Sequence, residues 1–150
     1  IKLRLGTHCY HHAFHAELWH KRLPELREMD PARLTVAPNP EFEAFVDELA
    51  DAERAGDTLT KLVGVYRVLL PHLIAAYTFH RNNTASITDA PTIRALDFCL
   101  TDDLEEWREG EMMIQSLLAD ADDIDRAAAR QAELEKLMLR AEGVTGAGSV

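Results

Sequence analysis

The sequence predicts an all-α fold, and three observations support that prediction. Apolar residues recur at spacings of three and four along four long segments, whereas no stretch alternates in the manner of a strand. Most of the Gly and Pro residues lie between or beyond those segments. Long amphipathic segments with short connections are typical of a helical bundle. The 150 residues suffice for one full core, so we predict a single helical-bundle domain at residues 1–143 and a flexible tail at residues 144–150.

The first predicted helix runs from about Leu5 to Met29, and Pro24 should kink or end it because proline donates no helical hydrogen bond. An apolar strip lies opposite its core face, and we expect another part of the chain or a partner subunit to cover that strip. The core face is Leu5, Cys9, His12, Ala16, Trp19, Leu23 and Leu26. The opposite strip is Tyr10, Phe14 and Leu18, and it predicts a homo-oligomer.

The second predicted helix has an acidic first half, residues 41–54, and an apolar second half, residues 58–80, with Gly56 between them. Pro71 should bend the second half because it has no N–H to offer the Arg67 carbonyl. The inward stripe of that half is Leu59, Leu62, Val63, Tyr66, Leu69, Leu70, Leu73, Tyr77 and His80.

A polar linker at residues 81–90 leads to the third predicted helix, which Asp89 can cap. The linker is long enough for either an antiparallel hairpin or a crossover along the bundle, and the sequence leaves both open. The third helix should end near Ala119. A fourth should start within residues 120–123 and stop at Gly143, since glycine is common just after a helix.

The core seam of the third helix contains a carboxylate. Residues at alternating spacings of four and three along it are Leu96, Leu100, Asp103, Trp107, Gly110, Ile114 and Leu117. An ion buried alone costs several kcal/mol or more. We therefore predict that Asp103 is buried and paired with a group from another helix, or bound to a metal.

The same helix carries a family resemblance. The stretch DAPTIRALDFCLTDDLEEWREGEMM, residues 89–113, resembles a segment of ferritin-like bundle proteins, in which a D-x-P-x-x-R-x-L start leads to a D-E-x-x-H-W-like turn. The resemblance implies a ferritin-like four-helix bundle. It places the metal-binding Glu of the family on Asp103, the His on Glu106 and the Trp on Trp107. Because ferritin-like di-iron centres use Glu-x-x-His pairs, the Asp-x-x-Glu found here implies a degenerate or noncanonical core metal site.

Polar side chains on the inward stripes form a candidate site. The four proposed metal ligands are His12, His80, Asp103 and Glu106, with Tyr66 beside them and His15 at the edge of its helix face. Imidazole and carboxylate suit Fe, Mn or Zn. The alternative, which we favour from the sequence, is a buried hydrogen-bonded network. The histidine-rich start (His8, His11, His12, His15 and His20) is predicted to be a solvated, titratable surface.

Charge and motifs exclude several classes of function. The chain has a formal net charge of −10 and no Lys/Arg cluster, so we expect no nucleic-acid binding. We also expect no membrane span. Two cysteines, Cys9 and Cys99, suit free thiols and a cytoplasmic protein. No nucleophile motif or phosphate loop is present.

Three functions remain open, and the sequence does not decide whether the chain is an enzyme. The first is a ferritin-like bundle of unassigned activity with a noncanonical or lost core metal site. The second is a metal-dependent Fe/Mn oxidoreductase that uses the His/carboxylate group. The third is a helical interaction module whose acidic face meets a basic partner. That face is Glu41, Glu43, Asp47, Glu48 and Asp51.

Overall fold

The computed structural model describes residues 1–23, 30–50 and 57–147. These residues form helices and turns without a strand, which confirms the all-α prediction. The helices are α1 (Lys2–Arg22), α2 (Pro31–Leu34), α3 (Pro40–Ala50), α4 (Thr58–Val63), a π-helical segment (Gly64–Leu69), α5 (Leu70–Asn83), α6 (Ala90–Gln115) and α7 (Ala121–Arg140). The predicted roles of Pro24, Leu26, Met29, Asp51 and Gly56 lie outside the described residues.

The first helix ends where the proline predicts. Helix α1 stops at Arg22, and Leu23 after it is extended, with φ −65° and ψ 140°. A residue that precedes proline is disfavoured in the helical region because the proline ring would clash with it. Beyond the residues that are not described, Asp30 caps the short helix α2 by accepting a hydrogen bond from the Ala32 N–H at 3.0 Å.

Helix α4, the π-helical segment and α5 follow one another without a break, and the predicted distortion lies beside Pro71. The Leu70 N–H bonds to the Val65 carbonyl, five residues earlier. Because Pro71 cannot donate to the Arg67 carbonyl, the preceding turn widens from the α to the π register. Within the described part of the chain, Thr58–Asn83 is the one helical stretch long and apolar enough to cross a membrane, with 33% of its most apolar window buried.

The chain divides into two compact units. The first unit is Ile1–Val36 with Tyr77–Asp102, and the second is Ala37–Ala76 with Asp103–Val150. In the first unit Arg81 of α5 pairs with Asp97 of α6, because residues 84–89 close a short hairpin between the two helices. This contact decides in favour of the hairpin over the crossover.

The core of the second unit forms where α3, α4 and the π-helical segment pack against α7. Its fully buried side chains are Phe45, Val68, Leu134 and Met138. Beside this core, Arg67 donates to both carboxylate oxygens of Glu111, with Nε 2.9 Å from Oε2. The hydrogen bond from Arg67 holds the pKa of Glu111 below its ordinary value.

The buried face of α6 departs from the predicted seam at two positions, Trp107 and Leu117, the second of which is half-buried and lies beyond the end of the helix. Leu96, Asp103 and Ile114 are fully buried as predicted, but Trp107 is 40% exposed and Glu106, at 2%, takes its place. Glu106 and Trp107 each lie between Asp103 and Gly110 at spacings of three and four, so the apolar pattern alone does not choose between them. The prediction that Trp107 lies in the core is therefore wrong.

Gly110 lies in contact with the ring of the buried Tyr66, and a Cβ atom there would overlap that ring. We expect Gly110→Ala to lower the free energy of unfolding by about 1–3 kcal/mol, because overpacking outweighs the better helix propensity of alanine. Chemical denaturation measures the change. Gly6→Ala is the matched control, since a Cβ at Gly6 meets nothing within 4 Å. A Gly110→Ala protein as stable as that control would contradict the contact.

Helix α7 ends in a Schellman turn close to the predicted stop. The Gly143 N–H bonds to the Met138 carbonyl at 3.0 Å and the Glu142 N–H to the Leu139 carbonyl at 3.1 Å. Beyond the turn, Val144 packs against the core of the second unit. The Asn39 side chain also donates to the Ala141 carbonyl at 2.9 Å, which ties the end of α7 to the start of α3.

The left-handed position of that turn is occupied by Glu142, at φ 57°. Because a side chain is strained in this region and glycine is not, we expect Glu142→Gly to raise the free energy of unfolding by about 1 kcal/mol. Thermal and chemical denaturation would both show the gain. Glu142→Ala keeps the strain and should give none, so an equal gain in both variants would rule out backbone relief.

Candidate metal site

The histidines of α1 are more buried than the sequence predicts. His8 and His15 are each 4% exposed, whereas Cys9 and Ala16 of the predicted core face are exposed. The inward face of α1 is thus rotated toward the histidines, and the prediction of a solvated histidine surface is wrong for these two. An imidazole ring can be buried when its nitrogens have hydrogen-bond partners.

The opposite apolar strip of α1 is largely exposed among the described residues. Tyr10 is 69% and Phe14 38% exposed, while Leu18 is half-buried. The described residues leave most of this strip exposed, so they do not supply the cover that we expected. A partner subunit over this strip remains a prediction.

Within the first unit, α1 packs against α6 through polar contacts at both ends of the pairing. Near the end of α1, Arg22 donates to Asp89 at 3.0 Å and to Thr92 at 3.2 Å. About two turns earlier in α1, His15 Nε2 lies 2.9 Å from Asp102 Oδ2. The end of α1 therefore meets the start of α6, so the two helices run antiparallel.

His15 is the centre of a cluster of potential metal ligands. The ring of His12 meets that of His15 edge to face, with the centroids 5.7 Å apart and the planes at 89°. His12, His15 and Asp103, the residue after Asp102 in α6, each offer one ligand atom, and the three atoms lie within 4.8 Å of one another. Asp103 is fully buried and His12 half-buried. The predicted burial of Asp103 is confirmed.

The other two predicted ligands do not belong to this cluster. His80 is exposed, and its ring stacks on that of Trp19 with the centroids 6.4 Å apart. Trp19 in turn donates its Nε1–H to the Tyr77 hydroxyl at 2.9 Å. The prediction that His80 faces the core is wrong. Glu106 is buried but lies outside the cluster.

Sequence reasoning gave His15 only a marginal place and missed Asp102. The signal for both was present. His12 and His15 are three residues apart and share a helix face, and Asp102 and Asp103 are consecutive, so they point about 100° apart around α6.

The donor set has a recognisable chemistry. Two imidazoles and one carboxylate bind Fe(II), Mn(II) or Zn(II) and leave further coordination positions open. The fold and the cluster together define an all-α helical protein with a His/Asp group that could hold a metal ion. No family model matches the chain, and no curated protein or solved structure is detectably similar to it. The ferritin-like resemblance thus rests on residues 89–113 alone.

Proposed function

We propose that this chain is a metal-binding helical protein whose mononuclear site is formed by His12, His15 and Asp103. The observation that carries the proposal is the convergence of these ligand atoms within 4.8 Å. Burial adds to it, since Asp103 is fully buried and His15 nearly so. Burial removes the Asp103 carboxylate from water, which costs free energy unless an opposite charge lies beside it. A divalent cation bound by the carboxylate and the two imidazoles supplies that positive charge.

Metal analysis tests the proposal. The protein is stripped with a chelator, loaded separately with Fe(II), Mn(II) or Zn(II), dialysed and assayed for bound metal. We expect one ion per chain in the wild type and none in His15→Ala or Asp103→Asn, because the first variant removes an imidazole ligand and the second replaces the anionic ligand with a neutral amide.

The matched control is His20→Ala, which removes an exposed histidine from the same helix and should retain the ion. Circular dichroism establishes that each variant is helical. A wild type that binds no metal, or a His15→Ala protein that binds as much as His20→Ala, would overturn the proposal.

The finer assignment to the ferritin-like bundles is a second part of the proposal. The resemblance of residues 89–113 supports it, as does the all-α fold. Against it stands the short connection at residues 84–89, because ferritin-like folds contain one long crossover. The metal site proposed here is mononuclear and noncanonical, so it does not depend on this assignment.

An oxidoreductase activity is favoured by one feature of the donor set. Two histidines and one carboxylate leave coordination positions for dioxygen or a substrate, as in non-haem Fe(II) enzymes. The test is oxygen consumption by the Fe(II)-loaded protein, with the Zn(II)-loaded protein as the control that cannot be oxidised. If the Fe(II)-loaded protein takes up no more oxygen than the Zn(II)-loaded protein, the chain binds metal but lacks this activity.

A further inference from the structure

We infer that Asp102 is the positioning residue of the proposed metal site, which selects the ring nitrogen that His15 presents to the ion. The inference rests on the proposed function and assigns a role that the ligand group itself does not include. Its basis is the contact between His15 Nε2 and Asp102 Oδ2, at 2.9 Å. The ligand group contains Asp103 and not Asp102.

The contact determines the tautomer of the ring. An ionised carboxylate only accepts hydrogen bonds, so Nε2 must carry the proton that lies between it and Asp102. A neutral imidazole holds one proton, and its lone pair is therefore on Nδ1. His15 then offers Nδ1 to the ion. The opposite tautomer would direct an N–H toward the ion and would not bind it.

Burial separates the two carboxylates into two roles. The Asp102 side chain is 28% exposed, whereas Asp103 is fully buried in the next position of the same helix. The half-buried Asp102 carboxylate keeps part of its hydration. Asp103 faces inward with the two imidazoles and acts as a ligand. Asp102 contacts the other nitrogen of the His15 ring, Nε2.

A carboxylate behind a ligating histidine also strengthens the ligand. It fixes the orientation of the ring and raises the basicity of the nitrogen that binds the metal, and loss of such a group costs about 10–100-fold in metal affinity. The His15 side chain is only 5% exposed, so solvent competes little for the Asp102 contact. We expect the ring to be oriented before an ion arrives.

The first measurement concerns the metal-free protein. Long-range ¹H–¹⁵N correlation spectra distinguish the two neutral tautomers, and the His15→Gln variant assigns the resonance. We expect His15 to carry its proton on Nε2 in the wild type and to lose this preference in Asp102→Ala. A proton on Nδ1 in the wild type would overturn the inference, and this readout requires no metal.

The second measurement is metal affinity by competition with a chelator. Asp102→Asn keeps an oxygen that can accept the Nε2–H but loses the charge, so we expect its affinity to fall by about 10–100-fold. Asp102→Ala should bind more weakly still, and Asp103→Asn should bind no ion because it lacks the anionic ligand. The control is Asp97→Asn, because Asp97 lies on the same helix as Asp102 but its carboxylate pairs with Arg81 of α5. This variant should bind metal as tightly as the wild type.

The outcomes separate this inference from the proposed function. A wild type without metal overturns both. Metal in the wild type with unchanged affinity in Asp102→Asn overturns the positioning role alone. Complete loss of metal in Asp102→Asn, equal to the loss in Asp103→Asn, also overturns it, because Asp102 would then be a ligand.

Discussion

Phe45→Ala is expected to lower the free energy of unfolding by about 3–5 kcal/mol, a large part of the stability of a small domain. Phe45 is fully buried and packs with Val68, Leu134 and Met138 in the core of the second unit. Its ring also meets that of Phe42, with the centroids 5.9 Å apart. Truncation removes this apolar contact and leaves a cavity that the surrounding helices fill only in part.

Chemical denaturation followed by circular dichroism and by the fluorescence of Trp107, which lies in the second unit, measures this loss. The adjacent Val46→Ala is the control, because Val46 is 42% exposed and its truncation should change stability by no more than about 0.5 kcal/mol. Equal effects of the two substitutions would show that α3 does not pack through Phe45.

The sequence predicted the helices of this protein better than the direction in which their polar residues face. In helix α6 the apolar residues recur at regular spacing, and that spacing alone predicted the burial of Leu96, Asp103 and Ile114. The burial in helix α1 was not predictable in this way, since its two buried residues, His8 and His15, are both histidines. An imidazole counts as polar in any hydrophobic pattern, yet a ring whose nitrogens are paired can be buried. The partner, Asp102, is 87 residues away in sequence.

Two further features required the three-dimensional fold. His80 continues the apolar stripe of its helix, but the stripe passes out of the core before that residue, and the ring rests on Trp19 instead. The π-helical segment before Pro71 adds one residue to a turn, so every later side chain of α5 is rotated relative to an uninterrupted helix. A helical wheel assumes a constant 3.6 residues per turn and therefore fails after such a segment. The choice of ligands from α5 depended on that wheel.

Asp103→Ala in the metal-free protein is expected to lower the free energy of unfolding by about 3–5 kcal/mol where its partner stays charged. If Asp103 instead belongs to a hydrogen-bonded network without net charge, its removal would lower the free energy of unfolding by about 1–3 kcal/mol. The Asp103 side chain is fully buried on the core face of α6. A fall in the free energy of unfolding of either size would therefore come from a buried partner that has lost the carboxylate, and not from a change at the surface. Chemical denaturation in the presence of a chelator measures the loss without any contribution from a bound ion.

Asp103→Leu separates the needs of the fold from those of the site. A leucine continues the apolar face that Leu96 and Leu100 begin, so we expect this variant to be more stable than Asp103→Ala and to bind no metal. Glu105→Ala, an exposed carboxylate of the same helix, is the control and should change stability by no more than about 0.5 kcal/mol. If Asp103→Ala costs no more than this control, Asp103 is solvated in solution. Its buried position, and with it the metal site, would then be wrong. If Asp103→Leu is more stable than the wild type, the buried carboxylate destabilises the metal-free fold.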